Sequence, residues 1–503
     1  MKREFCKLNI SGLNKITIIY LCVPLILFLS FYLNSVAMIS GVLAVSVILY
    51  LIFKSSGNTH FKLEKKSLLL IFFISALWVF LSGIGGYFYQ NTDWHMRNAI
   101  LHDLINYSLP VRYDNGTALV YYSGIMLPSA IIGKLFYFVT KNTEYAFSVG
   151  NFANYLYCLF GIILVALNLT EIAKPKNIWK LLLILCVMCL FSGMDIILSF
   201  LMGNQVTLGT HIEWHYPGLQ FSSNTTLMFW VYNQCITTWL ITLLIYKKPF
   251  ALQNFAFWGV LSLFFAPFPF IGHAIYMSGL CVYFVFKNLK NRHYNLIFKK
   301  IFSVQNILSM LILLPFVYTY YSSNVITSSA GTKILISPFV ILFFLIECGI
   351  FLLLIYKKYR RNIIYILTFI SLYIIPHIAM YDSTDFCMRA SIPALFITMI
   401  MVIKFLLDEN VKYKILRIVL LISLLIGAVT PLQEISRSIM ATFLPIKEDY
   451  IKDQIKTLEG KIEFPCKYVV ATENDIIKTD TNYCNYGALN PDDTVFFKYF
   501  AKK

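Results

Sequence analysis

Long unbroken apolar runs, separated by short polar or basic breaks, set the pattern of this chain. They lie near 15–33, 35–53, 67–88, 146–170, 181–201, 227–246, 251–270, 271–287, 301–321, 335–356, 362–380, 391–407 and 413–432. Each comes close to the roughly 20 apolar residues that a helix needs to cross a hydrocarbon core. The runs are continuous and do not alternate, so their period is that of helices and not of barrel strands. The pattern predicts an all-α polytopic membrane protein with about thirteen spans. One further run, about 119–139, contains Gly124, Pro128, Gly133 and Lys134, which weaken a regular helix.

Composition agrees with this reading. The chain has 503 residues, 58% hydrophobic and 13% charged, against about 25% charged in soluble domains. The net charge of +17 suggests nucleic acid at first sight. The basic residues, however, stand in short clusters between apolar runs, as the positive-inside bias requires, so the bilayer and not nucleic acid is the expected partner. The clusters Lys54/Lys62/Lys65/Lys66, Lys174/Lys176/Lys180, Lys247/Lys248, Lys287/Lys290/Arg292/Lys299/Lys300 and Lys357/Lys358/Arg360/Arg361 share one side only if 119–139 does not cross. That places the N-terminus inside and the C-terminus outside. Usage rich in Ile, Lys, Asn and Phe suggests an AT-rich bacterial genome, hence the bacterial inner (cytoplasmic) membrane. The eleven cysteines are scattered without zinc-ligand spacing. No internal repeat or low-complexity segment is apparent.

With this topology the polar stretches collect outside. Residues 89–118 form a polar island in an otherwise greasy chain. Asp93 and Arg97 lie one helical turn apart there, and 93–106 reads as an amphipathic surface helix. Asp93 is the candidate general base or metal ligand, and Arg97 the candidate phosphate contact; the plainer reading is a surface ion pair. His102, Asp103 and Arg112 belong to the same island as candidate substrate contacts. His211, Glu213 and His215 alternate, so an extended segment would turn all three one way as metal ligands, unless they are merely a solvated loop. Asp382, Asp385 and Arg389 stand at the mouth of a span. Arg389 suits a phosphate, and the aspartates suit either a metal or a helix cap. Asp195, Asn233 and Gln234 lie near the outer ends of spans and are substrate-contact candidates, Asp195 because an intramembrane carboxylate is costly. Charge nearly balances in 433–503, where KYVVAT and TVFFKYF suggest strands of a small outer α/β domain. Cys466 and Cys484 there are either a disulfide or two thiols.

Two domains follow: a transmembrane domain, 1–432, whose outer loop 89–145 carries surface and re-entrant helices, and the tail, 433–503. This layout, with its acidic outer loop after an early span, resembles the GT-C superfamily of membrane glycosyltransferases. The strings TDWHMRNAILHDLI, LVYYSGIMLPSAIIGKLF, FWVYNQ and DFCMRASIPALF also resemble a group of bacterial multispan proteins. The GT-C resemblance implies a sugar donor on a polyprenyl phosphate and a glycan, lipid or protein acceptor at the outer face. Asp93 matches the outer-loop carboxylate of that family, which acts as base or holds Mg or Mn. Arg97, Arg112 and Arg389 are the candidates for holding the donor phosphate. A surface-polysaccharide polymerase would use the same groups. A flippase or other transporter would gather its polar groups near the midplane, often with inverted repeats, and neither feature is seen.

Overall fold

The computed structural model describes residues 7–55, 60–214, 219–325, 332–380, 383–409, 411–444, 456–462 and 483–503. Helices dominate. The first half holds α1 (Leu13–Tyr32), α2 (Ser35–Ser55), α3 (Lys65–Leu81), α4 (Trp94–Asn106), α5 (Leu127–Thr140), α6 (Thr143–Ala173), α7 (Ile178–Leu190) and α8 (Asp195–Leu201). Then follow α9 (Asn224–Trp230), α10 (Tyr232–Lys247), α11 (Phe255–Phe265), α12 (Pro267–Lys290), α13 (Tyr294–Ser322), α14 (Pro338–Tyr359), α15 (Ile363–His377), α16 (Asp385–Ala390), α17 (Ile392–Leu406) and α18 (Lys414–Phe443). Among the described residues there are three antiparallel two-stranded ribbons: β1 (Lys7–Ser11) with β2 (His60–Glu64), β3 (Ala118–Leu119) with β6 (Gly487–Ala488), and β4 (Thr332–Ile334) with β5 (Ile378–Met380).

The chain is a multi-pass helical protein. Among the described residues seven helices are long and apolar enough to cross a membrane: α1, α2, α6, α12, α13, α14 and α18. There are eight if α7 and α8, bent by 42° at their break, form one span. Several other apolar runs are interrupted rather than straight. The run 67–88 leaves its helix at Leu81 and turns through Gly83, Gly85 and Gly86, all at positive φ. The run 227–246 breaks at Val231, and 251–270 breaks at Ala266, ahead of Pro267. The uncertain run 119–139 becomes a short 3₁₀ turn and α5. It ends where Lys141 adopts the left-handed conformation (φ 58°), and Asn142 caps α6 by accepting from the Tyr145 N–H at 3.0 Å. The chain thus doubles back into an α5–α6 hairpin. Ile105 of α4 wedges into that hairpin against Gly133 and Gly150, where an added Cβ would lie 2.7 and 2.6 Å from the Ile105 Cδ1.

The two ends of the molecule differ in character. At one end Lys176 and Lys180 bind Glu409, Lys358 binds Asp408 at 2.6 Å, and Lys247 joins Glu171 and Asn14. At the other end lie the α1–α2 turn, the polar island, α16 and the tail. The tail is knitted to the helices: the Asn34 N–H donates to Phe500 and the Lys502 N–H to Tyr32, each at 2.8 Å.

The tail differs from its sequence reading. Position 433 falls inside α18. TVFFKYF is not a strand: Phe496–Phe500 forms a helical turn. Phe496 and Phe497 are adjacent and both buried. Phe496 sits 6.1 Å from the Phe28 ring and 5.1 Å from Tyr320. KYVVAT, and with it the Cys466–Cys484 question, lies outside the described residues.

Candidate functional site

Two short segments at the polar end build the site, and they are copies of one pattern. Residues 92–100 read TDWHMRNAI and residues 384–392 read TDFCMRASI. Threonine, aspartate, methionine, arginine and isoleucine recur at the same offsets, with an aromatic residue after each aspartate. The absence of internal repeats expected from sequence is therefore corrected at this short scale. Each copy opens a helix in the same way. The Asp93 N–H donates to the Asn91 side chain and the Asp385 N–H to the Ser383 hydroxyl, both at 3.1 Å. In each copy the aromatic, methionine and isoleucine side chains (Trp94, Met96, Ile100; Phe386, Met388, Ile392) are buried.

In both copies the arginine Nη2 reaches the aspartate one turn back at 3.0 Å. The guanidiniums are buried, with side chains 7% and 13% exposed, whereas Asp93 and Asp385 remain 45% and 44% exposed. Arg97 also lies over Trp94 and Tyr232, 5.5 and 5.8 Å from their ring centres. Trp94 stacks on Tyr232 at 5.1 Å, and its indole N–H donates to the Phe229 carbonyl, which also accepts from Asn91. That carbonyl lies beside the break at Val231, so the interrupted run 227–246 creates the seat for α4. Arg389 donates from Nη1 to the Tyr122 hydroxyl at 3.2 Å. Its helix sits against α12 at Gly272, where a Cβ would come within 2.2 Å of the Ala390 carbonyl oxygen.

Electrostatics join the two copies. Burial alone would lower the Arg389 pKa, but Asp385 leads the groups that outweigh it, and Asp93 is among them, so the guanidinium is held above its usual range. The Tyr486 phenol is pushed above its usual range by desolvation first, then by Tyr122 and Asp93, while Arg97 and Arg389 pull it down. The Tyr121 ring lies between Tyr122 and Tyr486, tilted against both, at 3.8 and 4.8 Å. Asp93, Arg97, Asp385, Arg389 and three tyrosines therefore share one field. Within it the Arg97 Nε and Nη1 and the Arg389 Nε are buried without a hydrogen-bond partner. Buried unpaired guanidinium N–H groups are costly, and such donors mark a place for an anion.

The other candidates sit elsewhere. Asp103 is fully buried. Its Oδ2 accepts from the Tyr113 hydroxyl (2.7 Å) and the Leu458 N–H (2.9 Å), and its Oδ1 meets His102 (3.1 Å). It acts as a post between the island and the tail segment near Leu458. His102 lines a separate cavity of about 290 Å³ with His95, Asn98, Phe147 and Lys456. Arg112 pairs with Asp492 at 2.7 Å and lies 5.0 Å over the Phe497 ring. Asp195 accepts from Ser192 and Thr430 in a buried patch with Glu213 and Glu347. Asn233 and Gln234 are buried at the start of α10, and the Asn233 amide has no partner.

The described members of the proposed metal set, His211, Glu213 and Asp385, are each taken up by other partners. His211 binds Glu434 at 2.7 Å. Glu213 accepts from the Ser223 N–H, Thr226 and Gln220. Burial, then the charge of Asp195, raises the Glu213 carboxyl above the usual range. Asp385 is in the arginine pair, and His215 and Asp382 lie outside the described residues. Among the described residues no three His, Cys, Asp or Glu side chains come together to hold a metal ion.

Sequence reasoning reached Asp93, Arg97, Asp385 and Arg389 but missed Tyr121, Tyr122, Tyr232 and Tyr486. The repeated TD-aromatic-x-MR pattern was the available signal. No protein-family model, curated protein or solved structure matches this chain.

Proposed function

We propose that this chain is an integral membrane glycosyltransferase of GT-C type. It has about thirteen spans, its N-terminus inside and its C-terminus outside. It moves a sugar from a polyprenyl-phosphate donor to a cell-envelope glycan, lipid or protein acceptor at the outer face. The observation that carries this reading is a pair of buried arginines, Arg97 and Arg389, each holding a half-exposed aspartate and with three N–H groups between them unpartnered.

The chemistry follows from those groups. The acceptor hydroxyl approaches Asp93, which takes its proton as the oxygen attacks the anomeric carbon. The bond from that carbon to the phosphate oxygen breaks, and the electron pair leaves on the lipid phosphate. Arg97 and Arg389 stabilise the charge that grows there, inside a site lined by protein rather than water. Mg or Mn is what the family resemblance implies. The described donor set does not suit a divalent cation, because Asp93 and Asp385 each already neutralise an arginine and no third ligand stands by them. No step above runs through a metal.

The test is Asp93→Asn in purified protein supplied with a labelled polyprenyl-phosphate sugar. Loss of a general base costs about 10²–10⁴-fold in turnover. Donor binding should persist, since both arginines remain. Turnover equal to wild type would remove Asp93 from the reaction.

A further inference from the structure

Three interrupted helices meet at one buried point that the transfer chemistry does not use. The bent pair α7 and α8 is unwound over 191–194. α14 loosens into a π turn at Leu345–Gly349, and α18 breaks between Gly427 and Val429. Their backbones come close. A Cβ on Gly193 would overlap the Glu347 carboxyl group, and one on Gly427 would lie 2.7 and 2.8 Å from the Ser192 and Gly193 carbonyl oxygens. Two carboxyl groups occupy this point. The Asp195 Oδ2 accepts from the Ser192 hydroxyl at 3.1 Å and from the Thr430 hydroxyl at 2.8 Å. Glu347 is 1% exposed, and neither of its oxygens receives an N–H or O–H from the described protein. Their hydrogen-bonding neighbour is the Asp195 carboxyl, which is itself an acceptor when ionised. Two acceptors stay together when a proton lies between them, whereas a buried carboxylate that no donor reaches is costly. The other titratable groups facing Glu347 are Glu213, Cys348 on its own helix and Cys387 of α16, and none of them supplies positive charge. Beyond Glu213, both His211 and Arg437 are held by Glu434.

We infer that Glu347 and Asp195 form a proton-binding site among the membrane helices, holding one proton between two carboxyl groups. The occupant is a proton and not a metal cation, since among the described residues no three acidic, histidine or cysteine side chains close on one point. The Glu347 O–H donates to the Asp195 carboxylate, and the negative charge left on Asp195 is shared with the Ser192 and Thr430 hydroxyls. The proton thereby locks the unwound segment 191–194 to α14 and, through Thr430, to α18. Its release to water leaves two like charges side by side in a buried place, and the joint opens. A π turn, an unwound segment and a broken helix are where the backbone can yield without unfolding a whole span.

The experiment is infrared spectroscopy of the full chain in lipid nanodiscs, with hydrogen–deuterium exchange on the same sample. At neutral pH the wild type should show the carbonyl stretch of a protonated carboxylic acid, and the band should move when the protein is grown on carboxyl-labelled glutamate. Glu347→Gln should lose that band. Asp195→Asn should keep it at a shifted frequency, because Glu347 then donates to an amide oxygen. As the band disappears in alkaline buffer, amides of 191–198 should exchange about tenfold faster than their intrinsic pH dependence explains. Glu347→Gln still donates to Asp195 but has no proton to release, so its exchange should stay slow throughout. If that variant does not fold, the labelled wild type and Asp195→Asn still decide. A glutamate band absent at neutral pH, or one that Glu347→Gln leaves in place, overturns the site. So does a joint that closes with added sodium and ignores pH, which would put a metal cation where the proton is inferred. The transferase reading stands or falls separately, on Asp93.

Discussion

At the scale of single residues, buried charge separates function from support. Asp103 was grouped by sequence with Asp93, yet its oxygens are taken up by Tyr113, Leu458 and His102 with no exposure left. Asp103→Ala should therefore lower stability by about 3 kcal/mol, since it strands buried donors. Thermal unfolding followed by intrinsic fluorescence would show this, and turnover per folded molecule should stay near wild type. His211 carries a pH dependence. Burial opposes its charged form, but the bond to the Glu434 carboxylate prevails and raises its pKa in the fold. A raised folded value means that the stabilisation is complete below the unfolded value of about 6.5 and is lost as pH rises through the folded value. Melting of wild type against His211→Gln should show its largest gap below about pH 6, closing at alkaline pH. A gap that widens with pH would refute the pairing. That Asp103 is a support and not a substrate contact is decided by its burial, which residue type alone does not reveal.

At the scale of elements, what was legible is what depends on local pattern. The helix predicted over 93–106 is α4, Trp94–Asn106, because a polar capping stretch precedes an apolar periodicity. The breaks were less legible. Val231 interrupts an apolar run whose composition gives no sign of it, since α9 ends where its Phe229 carbonyl is claimed by α4, whereas the break at Ala266 is announced by Pro267. The break at Val231 is a tertiary event. The TVFFKYF segment failed for a related reason: its aromatic and β-branched letters suit a strand, but Phe496 packs on Phe28 and Tyr320 while Phe497 lies under Arg112. The seating of α16 gives a prediction at this scale. Gly272→Ala sets a methyl group against the Ala390 carbonyl, 2.2 Å away without relaxation, and backbone must move. Arg389 would shift with it. Anion affinity measured by calorimetry should fall several-fold while helix content by circular dichroism stays unchanged. Unaltered affinity would mean that the α12–α16 contact does not position Arg389.

At the scale of the whole molecule, one long helix joins the Lys176/Lys180 cluster to the end that holds the candidate site. α6 runs from Thr143 to Ala173, 31 residues, or about 46 Å, more than the roughly 30 Å of a bilayer core. Its first turn follows Lys141, at the hairpin that supports α4, and its last turn precedes the Lys176 cluster. Charge counting along the sequence predicts which end faces inward, since Lys and Arg bias insertion. It could not show that the tail closes over the same end, because β3 meets β6 across more than three hundred residues of chain. The expected outcome is testable in membranes. Cysteine placed at Lys141 should react with a membrane-impermeant maleimide from the outside of intact cells. Cysteine at Lys176 should react only after the membrane is opened. Asp93→Cys should follow Lys141, and Lys358→Cys should follow Lys176. Should Lys141 and Lys176 label from one side, α6 does not cross, the polar end is not outside, and no lipid-linked donor reaching that face would meet Asp93.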